Sequence, residues 1–192
     1  MVIILGSVHK GEEEAVKAAA LAAGRHGARI VIAPRRIENL EWIEEALKSH
    51  GYGIARRSAN DVMSLGDNKL VPVIDTFGEL GRIYAVSDIA FTGGSFIPHG
   101  GQNPLEPAGC GLPVLFGPDM SNFDEASKAL ENAGGAWRVQ SGEELSSRLE
   151  RLIDDKALRL KAGASARGMV EKGRGAVDRA REKILELAGA CD

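Results

Sequence analysis

The sequence predicts an α/β fold in which a parallel sheet carries helices on both faces. Short apolar runs alternate along the chain with stretches of helical period, and turns rich in glycine and polar residues follow the runs. Strands separated by helices pair in parallel, with right-handed crossovers. Because ligands bind such sheets at the carboxyl ends of the strands, the turns that follow the strands are where a site is expected.

The composition indicates one globular domain. The 192 residues are 44% hydrophobic, enough to bury a sizeable core. The net charge of −3 and the scattered basic residues disfavour a nucleic-acid partner. Cys110 and Cys191 lie far apart, which is typical of a reducing compartment and indicates no metal cluster. No signal peptide and no apolar run of the ~18 residues that span a bilayer occur, so the chain is expected to be soluble.

The first half of the chain alternates between the two kinds of element. Strands are predicted at residues 2–5, 29–33, 52–57 and 70–74. Helices are predicted at about residues 12–23, which are rich in alanine and end at glycines, and at 38–49, where apolar residues share one face. A third helix follows the turn at 75–79, where Thr76 and Glu79 are spaced as a capping box. The chain begins directly in a strand pattern, which is typical of a piece of a longer protein.

The second half is organised around a glycine-rich stretch between predicted strands at 89–91 and 112–116. Asn103 is predicted as a helix N-cap, with Pro104 at the first helical position and Glu106 at the third, as in a capping box. Such a helix start places free backbone N–H groups where an anion can bind. In the alternative interpretation the glycines serve only tight turns and Glu106 only caps. A helix at 123–132, a strand at 136–139 and further helices, the last at about 176–187, complete the prediction.

Two common nucleotide motifs are missing. The first turn, GSVHKG, lacks the G-x-G-x-x-G fingerprint, and no G-x-x-x-x-G-K-[ST] occurs. Acidic residues are scattered, with no D-x-D motif on a predicted loop, so no metal site is expected.

Four segments carry a recognisable family pattern: GSVHKGEE at 6–13, APR at 33–35, DTFGEL at 75–80, and GGSF with GGQNPLEP at 93–107. In order and spacing they resemble the C-terminal half of the bacterial Kdo transferases, over essentially the whole chain. These enzymes move 3-deoxy-manno-octulosonic acid (Kdo) from CMP-Kdo to a lipid A precursor in lipopolysaccharide biosynthesis. The glycine-rich block is specific to that family, whereas a lone E-P near a late glycine indicates only some GT-B glycosyltransferase.

The resemblance implies a GT-B enzyme, built of two Rossmann-like halves across a cleft, with residues 1–192 forming the single sugar-nucleotide-binding domain. It implies inverting transfer without cofactor or metal. The general base and the surface for the lipid A precursor lie on the family's N-terminal acceptor domain, which this chain lacks. The isolated chain is therefore expected to bind CMP or CMP-Kdo without catalysing transfer. The full-length enzyme is expected at the cytoplasmic face of the bacterial inner membrane.

The resemblance also implies roles for individual residues. Glu106 matches the carboxylate that accepts hydrogen bonds from the ribose hydroxyls, and Asn103 supports its loop. The loop of Gly93, Gly94 and Ser95 is expected to donate N–H groups and a hydroxyl to the CMP phosphate.

The remaining donor-binding residues come from three other turns. Pro34 and Arg35 match a Pro-Arg pair whose guanidinium neutralises the phosphate or the sugar carboxylate. Ser7 and His9 match the turn that faces the cleft, and the turn with Thr76, Gly78 and Glu79 is expected near the cytidine and phosphate. The plain alternatives are a solvated arginine, a structural histidine and simple helix capping. The sequence departs from the family pattern after Arg35, with Arg36 where a His is usual and Ile37 where a Pro is usual.

Two other classes of function remain open from the sequence. One is half of another GT-B or epimerase-like enzyme that uses a UDP-sugar. The other is a non-catalytic nucleotide-binding module.

Overall fold

The computed structural model describes residues 1–59 and 69–173, which form one parallel sheet with helices on both faces. The sheet has seven strands in the order β3-β4-β2-β1-β5-β6-β7. The strands are β1 (Val2–Val8), β2 (Arg29–Pro34), β3 (Gly53–Arg56), β4 (Leu70–Val73), β5 (Ile89–Thr92), β6 (Val114–Phe116) and β7 (Ala136–Arg138). Each corresponds to a strand predicted from the sequence, and the α/β prediction is confirmed.

The helices also follow the predicted order. They are α1 (Glu13–His26), α2 (Glu41–Lys48), α3 (Leu80–Ala85), α4 (Leu105–Gly109), α5 (Asp124–Asn132), α6 (Gly142–Asp154) and α7 (Lys156–Gly173), with a short 3-10 turn at Ser121–Phe123 before α5. The helix predicted at about 176–187 lies outside the described residues. No helix in residues 1–59 and 69–173 combines the length and the apolar character needed to cross a bilayer.

The core lies on both sides of the sheet because successive side chains of a strand point to opposite faces. In β1, Ile3 and Leu5 pack into the cluster that contains buried residues of α1, α2 and α6, among them Ala19, Ile43 and Leu149. Ile4 packs on the other face, in the cluster with Tyr84 of α3. All three β1 side chains are completely buried, as expected for the central strand of a sheet covered on both faces.

The strand order reverses between β1 and β5. After β1 the chain forms β2, β3 and β4 on one side of β1, and it then forms β5, β6 and β7 on the other side. At such a reversal the loops after the two central strands separate and leave a crevice at the carboxyl edge of the sheet. This crevice is the space above the carboxyl ends of β1 and β5.

Helix α7 contacts the loop that follows α4 through a glycine. Gly163 lies directly against the carbonyl oxygen of Gly111, and a Cβ at position 163 would overlap with it. Gly168, on the same helix, has no such neighbour within 4 Å of a Cβ.

We expect Gly163→Ala to lower the free energy of unfolding by about 1–3 kcal/mol, because the added methyl group must displace backbone. Gly168→Ala is the matched control and should be neutral or stabilising by up to ~1 kcal/mol, because alanine is the better helix former. Urea unfolding of both variants measures the difference. Equal effects at the two positions would contradict the described packing of α7.

Candidate functional site

Three loops meet at the crevice. β1 contains a bulge at Ser7, whose backbone has a φ of 55°. The carbonyl of Val8, just beyond the bulge, accepts a hydrogen bond of 2.8 Å from the Arg35 N–H, and the carbonyl of Gly6 accepts one of 2.8 Å from the Gly93 N–H. The turns after β1, β2 and β5 are thus held together by hydrogen bonds between their own backbones.

Gly93 lies where the loop after β5 passes very close to the backbone of β1. A Cβ at this position would overlap with the backbone of Ser7 and Val8. Only glycine lets the chain leaving β5 pass so near the bulge of β1.

The centre of this arrangement is Glu12, which the sequence analysis did not single out. Its side chain is completely buried. One carboxylate oxygen accepts the N–H groups of His9 at 2.8 Å and Gly94 at 2.7 Å, and the other accepts those of Ser95 and Phe96, each at 3.0 Å. A run of backbone N–H groups that converges on one anion is an anion nest, and here the chain's own carboxylate fills it.

The occupied nest corrects the predicted role of the first glycine loop. We expected Gly93, Gly94 and Ser95 to donate to a phosphate, but the Gly93 N–H bonds to Gly6 and the other two bond to Glu12. The Ser95 hydroxyl is buried as well, donating to the Thr92 carbonyl at 2.7 Å and accepting from the Gly117 N–H at 2.8 Å. These residues build the loop, and their donors are already used inside the protein.

The loop with the second glycine pair, Gly100 and Gly101, is held in place by hydrogen bonds at both of these residues. The Gly101 N–H donates to the Gly94 carbonyl at 2.8 Å, and the Gly100 N–H donates to Asp119 at 2.8 Å. Hydrogen bonds from Ser121 and then from Gly100 lower the pKa of Asp119. Asn122 donates its side-chain amide to the His99 carbonyl at 2.9 Å. This loop is therefore rigidly attached to the segment that follows β6.

The anchored loop brings two histidines together. The rings of His9 and His99 lie 4.2 Å apart between centroids, and the Gln102 amide nitrogen lies 3.2 Å from Nε2 of His9. Burial lowers the pKa of His9 from 6.5 to about 4, and the positive charges of His99, Arg35 and Arg36 add to this effect. At neutral pH His9 is an uncharged ring in a positive field. Arg35 and Arg36 are exposed, and Pro34, before them, is buried.

Glu106 does not complete the predicted capping box. Helix α4 begins at Leu105, one residue later than expected, so Pro104 and not Asn103 is at the N-cap position, and Asn103 Oδ1 accepts the Leu105 N–H at 3.0 Å from one residue further out. Among the described residues, no backbone N–H donates to Glu106, whose carboxylate is exposed and has the Asn103 amide at 3.5 Å. The capping alternative for Glu106 is therefore wrong, and its oxygens remain open to a ligand.

Tyr84 connects Glu106 with the crevice. The Tyr84 hydroxyl lies against Gly6, where a Cβ would overlap with it. Burial raises the pKa of Tyr84, and the nearby Glu106 and Cys110 raise it further. Glu106 therefore lies near a side chain that packs against the carboxyl end of β1.

The turn after β4 is tied to the turn after β3. The Thr76 hydroxyl donates to Glu79, and Arg57 pairs with Glu79 at 3.3 Å. The Thr76 hydrogen bond, with the charge of Arg57, lowers the pKa of Glu79. The expected capping box does not form, because α3 begins only at Leu80 and Thr76 bonds to the Glu79 side chain. Phe77, which the sequence analysis did not single out, is 80% exposed at this edge of the sheet.

One cavity lies away from the crevice. It has a volume of about 310 Å³ and lies at the opposite edge, at the amino ends of β2 and β4. Within residues 1–59 and 69–173, no three His, Cys, Asp or Glu side chains are grouped as a metal ion requires. Gly78, at the tip of the β4 turn, has a φ of 79° and is exposed.

The fold and the loops at its strand-order reversal define the class, a Rossmann-like α/β domain of the kind that forms the C-terminal half of GT-B glycosyltransferases. Solved structures share this fold. The C-terminal CMP-Kdo-binding domain of WaaA from Acinetobacter baumannii superposes with a TM-score of 0.76 at 23% identity, over 88% of this chain and 89% of that domain. HepE from Anabaena, solved with UDP and glucose, gives 0.64 at 15% identity, over 98% of this chain and 48% of that one.

Sequence comparison identifies the family. The chain is 34% identical to the 3-deoxy-D-manno-octulosonic acid transferase of Haemophilus influenzae over 179 residues, and 32% identical to that of Aquifex aeolicus over 156 residues. These alignments cover 92% and 80% of this chain but 42% of each relative. No protein-family model matches the chain. The chain belongs to the Kdo transferase family, and it spans less than half the length of these relatives.

We expect Glu12→Gln to lower the free energy of unfolding by about 2–4 kcal/mol. The amide keeps one acceptor oxygen but turns an N–H₂ group toward buried N–H donors, and hydrogen bonds to a charged acceptor are the stronger ones. Glu44→Gln, on the exposed face of α2, is the control and should change stability by less than ~0.5 kcal/mol. Chemical denaturation measures both, and amide hydrogen exchange at Gly94 to Phe96 should accelerate only in the Glu12 variant. Unchanged exchange there would exclude the nest.

His9 makes stability depend on pH. Its folded pKa of about 4 lies below its ordinary value of 6.5, so between these values the unfolded chain binds a proton that the folded chain does not. The contribution is fully present above pH 6.5 and is lost as the pH falls toward 4. Stability should therefore decrease less steeply between pH 7 and 5 in His9→Asn than in the unchanged chain. A ring NMR titration of His9 with a midpoint near 6.5 would contradict its half-buried position in a positive field.

Proposed function

We propose that this chain is the donor-binding half of a Kdo transferase and binds the CMP part of CMP-Kdo in the crevice. The observation that carries the proposal is the convergence of the β1, β2 and β5 turns at the strand-order reversal, with the open carboxylate of Glu106 nearby. In doubly wound sheets this is the position of nucleotides. The similarity to Kdo transferases supports CMP-Kdo as the donor.

The ribose is bound by Glu106. Its exposed carboxylate has no backbone donor among the described residues, so both oxygens can accept hydrogen bonds from a pair of ribose hydroxyls. Asn103, which accepts the Leu105 N–H and contacts Glu106, orients the carboxylate. The exposed ring of Phe77 provides a surface on which a base can stack.

Side chains, rather than backbone, receive the phosphate. The nest of Gly94 and Ser95 is filled by Glu12, so the negative charge of CMP must be met by other groups. Arg35 supplies a guanidinium at the crevice, and the neutral ring of His9, with the Gln102 amide, supplies hydrogen-bond donors without charge. As CMP leaves, its developing charge is stabilised by these donors. Ser7, on the bulge of β1, and the turn of Thr76, Gly78 and Glu79 complete the proposed site.

The transfer step itself requires more than this domain. We propose that residues 1–192 are one sugar-nucleotide-binding domain, and that the general base and the surface for a lipid A precursor belong to an acceptor domain. The acceptor hydroxyl, deprotonated by that base, attacks the anomeric carbon with inversion while CMP departs. The complete enzyme then works at the cytoplasmic face of the inner membrane.

Calorimetry with CMP tests the donor site. We expect the 192-residue chain to bind CMP more tightly than UMP or UDP. Glu106→Ala should weaken CMP binding about tenfold or more, because hydrogen bonds to a charged acceptor contribute ~1.5–3 kcal/mol. Glu143→Ala, an exposed carboxylate on α6, is the matched control and should leave the affinity unchanged. Preference for UDP would instead favour a UDP-sugar enzyme, and no binding of any nucleotide would refute the proposed function.

A further inference from the structure

A second cavity shares a wall with the crevice. It has a volume of about 280 Å³ and lies between the turn after β1 and the turn after β2. This is close to the lower end, ~300 Å³, of the size range of small-molecule sites. Its lining consists of Val8, His9, Lys10, Arg36, Asn39 and Trp42. His9 therefore contacts both the proposed phosphate position and this cavity.

The lining of the cavity is cationic. It contains Lys10 and Arg36 but no carboxylate. Within residues 1–59 and 69–173, neither Lys10 nor Arg36 forms an ion pair. The carboxylate of Glu12 accepts the backbone N–H of His9 but is buried and does not line the cavity. The carboxylates of Glu13, Glu41 and Glu45 line a separate hollow that shares Lys10, Asn39 and Trp42 with the cavity. In the described part of the chain, the cavity thus combines two cations that form no ion pair with an apolar floor, which matches the chemistry of an anion that also has a carbon skeleton.

The electrostatics of His9 supports this description independently. Burial and then the neighbouring His99 have the largest effects on the pKa of His9, and the charges of Arg35 and Arg36 lower this pKa further. The positive field of Arg36 therefore reaches the wall between the cavity and the crevice. A neutral His9 does not add to that charge, but it presents a polar ring to either side.

We propose that the cavity of Lys10 and Arg36 binds the carboxylate of the sugar acid carried by the nucleotide donor. This inference rests on the proposed function, because it places the sugar next to a phosphate held at His9. The relatives transfer a sugar that their name calls an acid, and such a group is a carboxylate at neutral pH. A guanidinium matches a carboxylate with two parallel N–H donors.

The other lining residues suit the rest of such a sugar. Trp42 and Val8 are buried and give the cavity an apolar floor, against which the C–H face of a sugar can pack. Asn39 is exposed at the rim and presents an amide that both donates to and accepts from hydroxyl groups. The cavity therefore distinguishes an acidic sugar from a neutral one mainly through Lys10 and Arg36.

NMR titration of the full chain, with and without saturating CMP, tests the inference. The probes are free Kdo, mannose as a neutral sugar and inorganic phosphate, read at the Arg36 side-chain Nε–H and the Trp42 indole N–H. We expect Kdo to shift both signals and mannose to leave them unchanged. Arg36→Gln and Lys10→Gln should each weaken the Kdo response about three- to fivefold, as expected for exposed charge pairs. Lys48→Gln, at the far end of α2, is the matched control.

The outcomes separate this inference from the proposed function. If phosphate shifts the two signals as strongly as Kdo does, the cavity takes phosphate groups and the assignment to a sugar carboxylate is overturned. A Kdo response that is unchanged in Arg36→Gln, or equalled by mannose, overturns it as well. CMP affinity is measured on the same variants and should be retained in Arg36→Gln. A failure of the proposed function would be recognised separately, because the unchanged chain would then not bind CMP.

Discussion

The carboxylate of Glu12 is the interaction on which the site depends. It joins the turn after β1 to the loop after β5 by accepting N–H groups from His9 and from Gly94 through Phe96. A buried charge is costly unless it is fully hydrogen-bonded, and here both oxygens are satisfied. The two central loops of the sheet are consequently one rigid unit, and the positions of Ser7, His9 and Gly93 follow from it.

This arrangement bears on the proposed recognition of a phosphate. In many doubly wound folds, backbone N–H groups of a glycine-rich loop contact the ligand directly. In this chain the N–H groups of Gly94 and Ser95 bond to Glu12, so the proposed binding of a phosphate depends on the side chains that surround the loop. Such a side chain can be replaced without breaking the hydrogen bonds that hold the loop in place. The groups proposed to contact the ligand are therefore separate from the groups that build the framework.

The fold was predictable from the sequence because each strand is a short apolar run followed by a turn of glycine and polar residues. Glu12 was not, because an acidic residue before an alanine-rich helix looks like an ordinary solvated helix start. Apart from His9, its partners lie 82 to 84 residues further along the chain, and no local pattern predicts a contact of that separation. The prediction that Asn103 is the N-cap of α4 was wrong by one residue, although its side chain does bond to the first N–H of the helix, because local patterns fix helix ends only to within a residue or two.

The contact between Gly163 and the Gly111 carbonyl couples distant parts of the chain mechanically. Helix α4, which ends just before Gly111, carries Glu106, and Val170 of α7 packs 3.7 Å from a Cβ placed at Gly109. Because backbone contacts backbone there, with no side chain in between, a rotation or translation of α7 is transmitted to α4 and to the carboxylate of Glu106. A partner that binds α7 would therefore act on the proposed ribose site from outside the crevice.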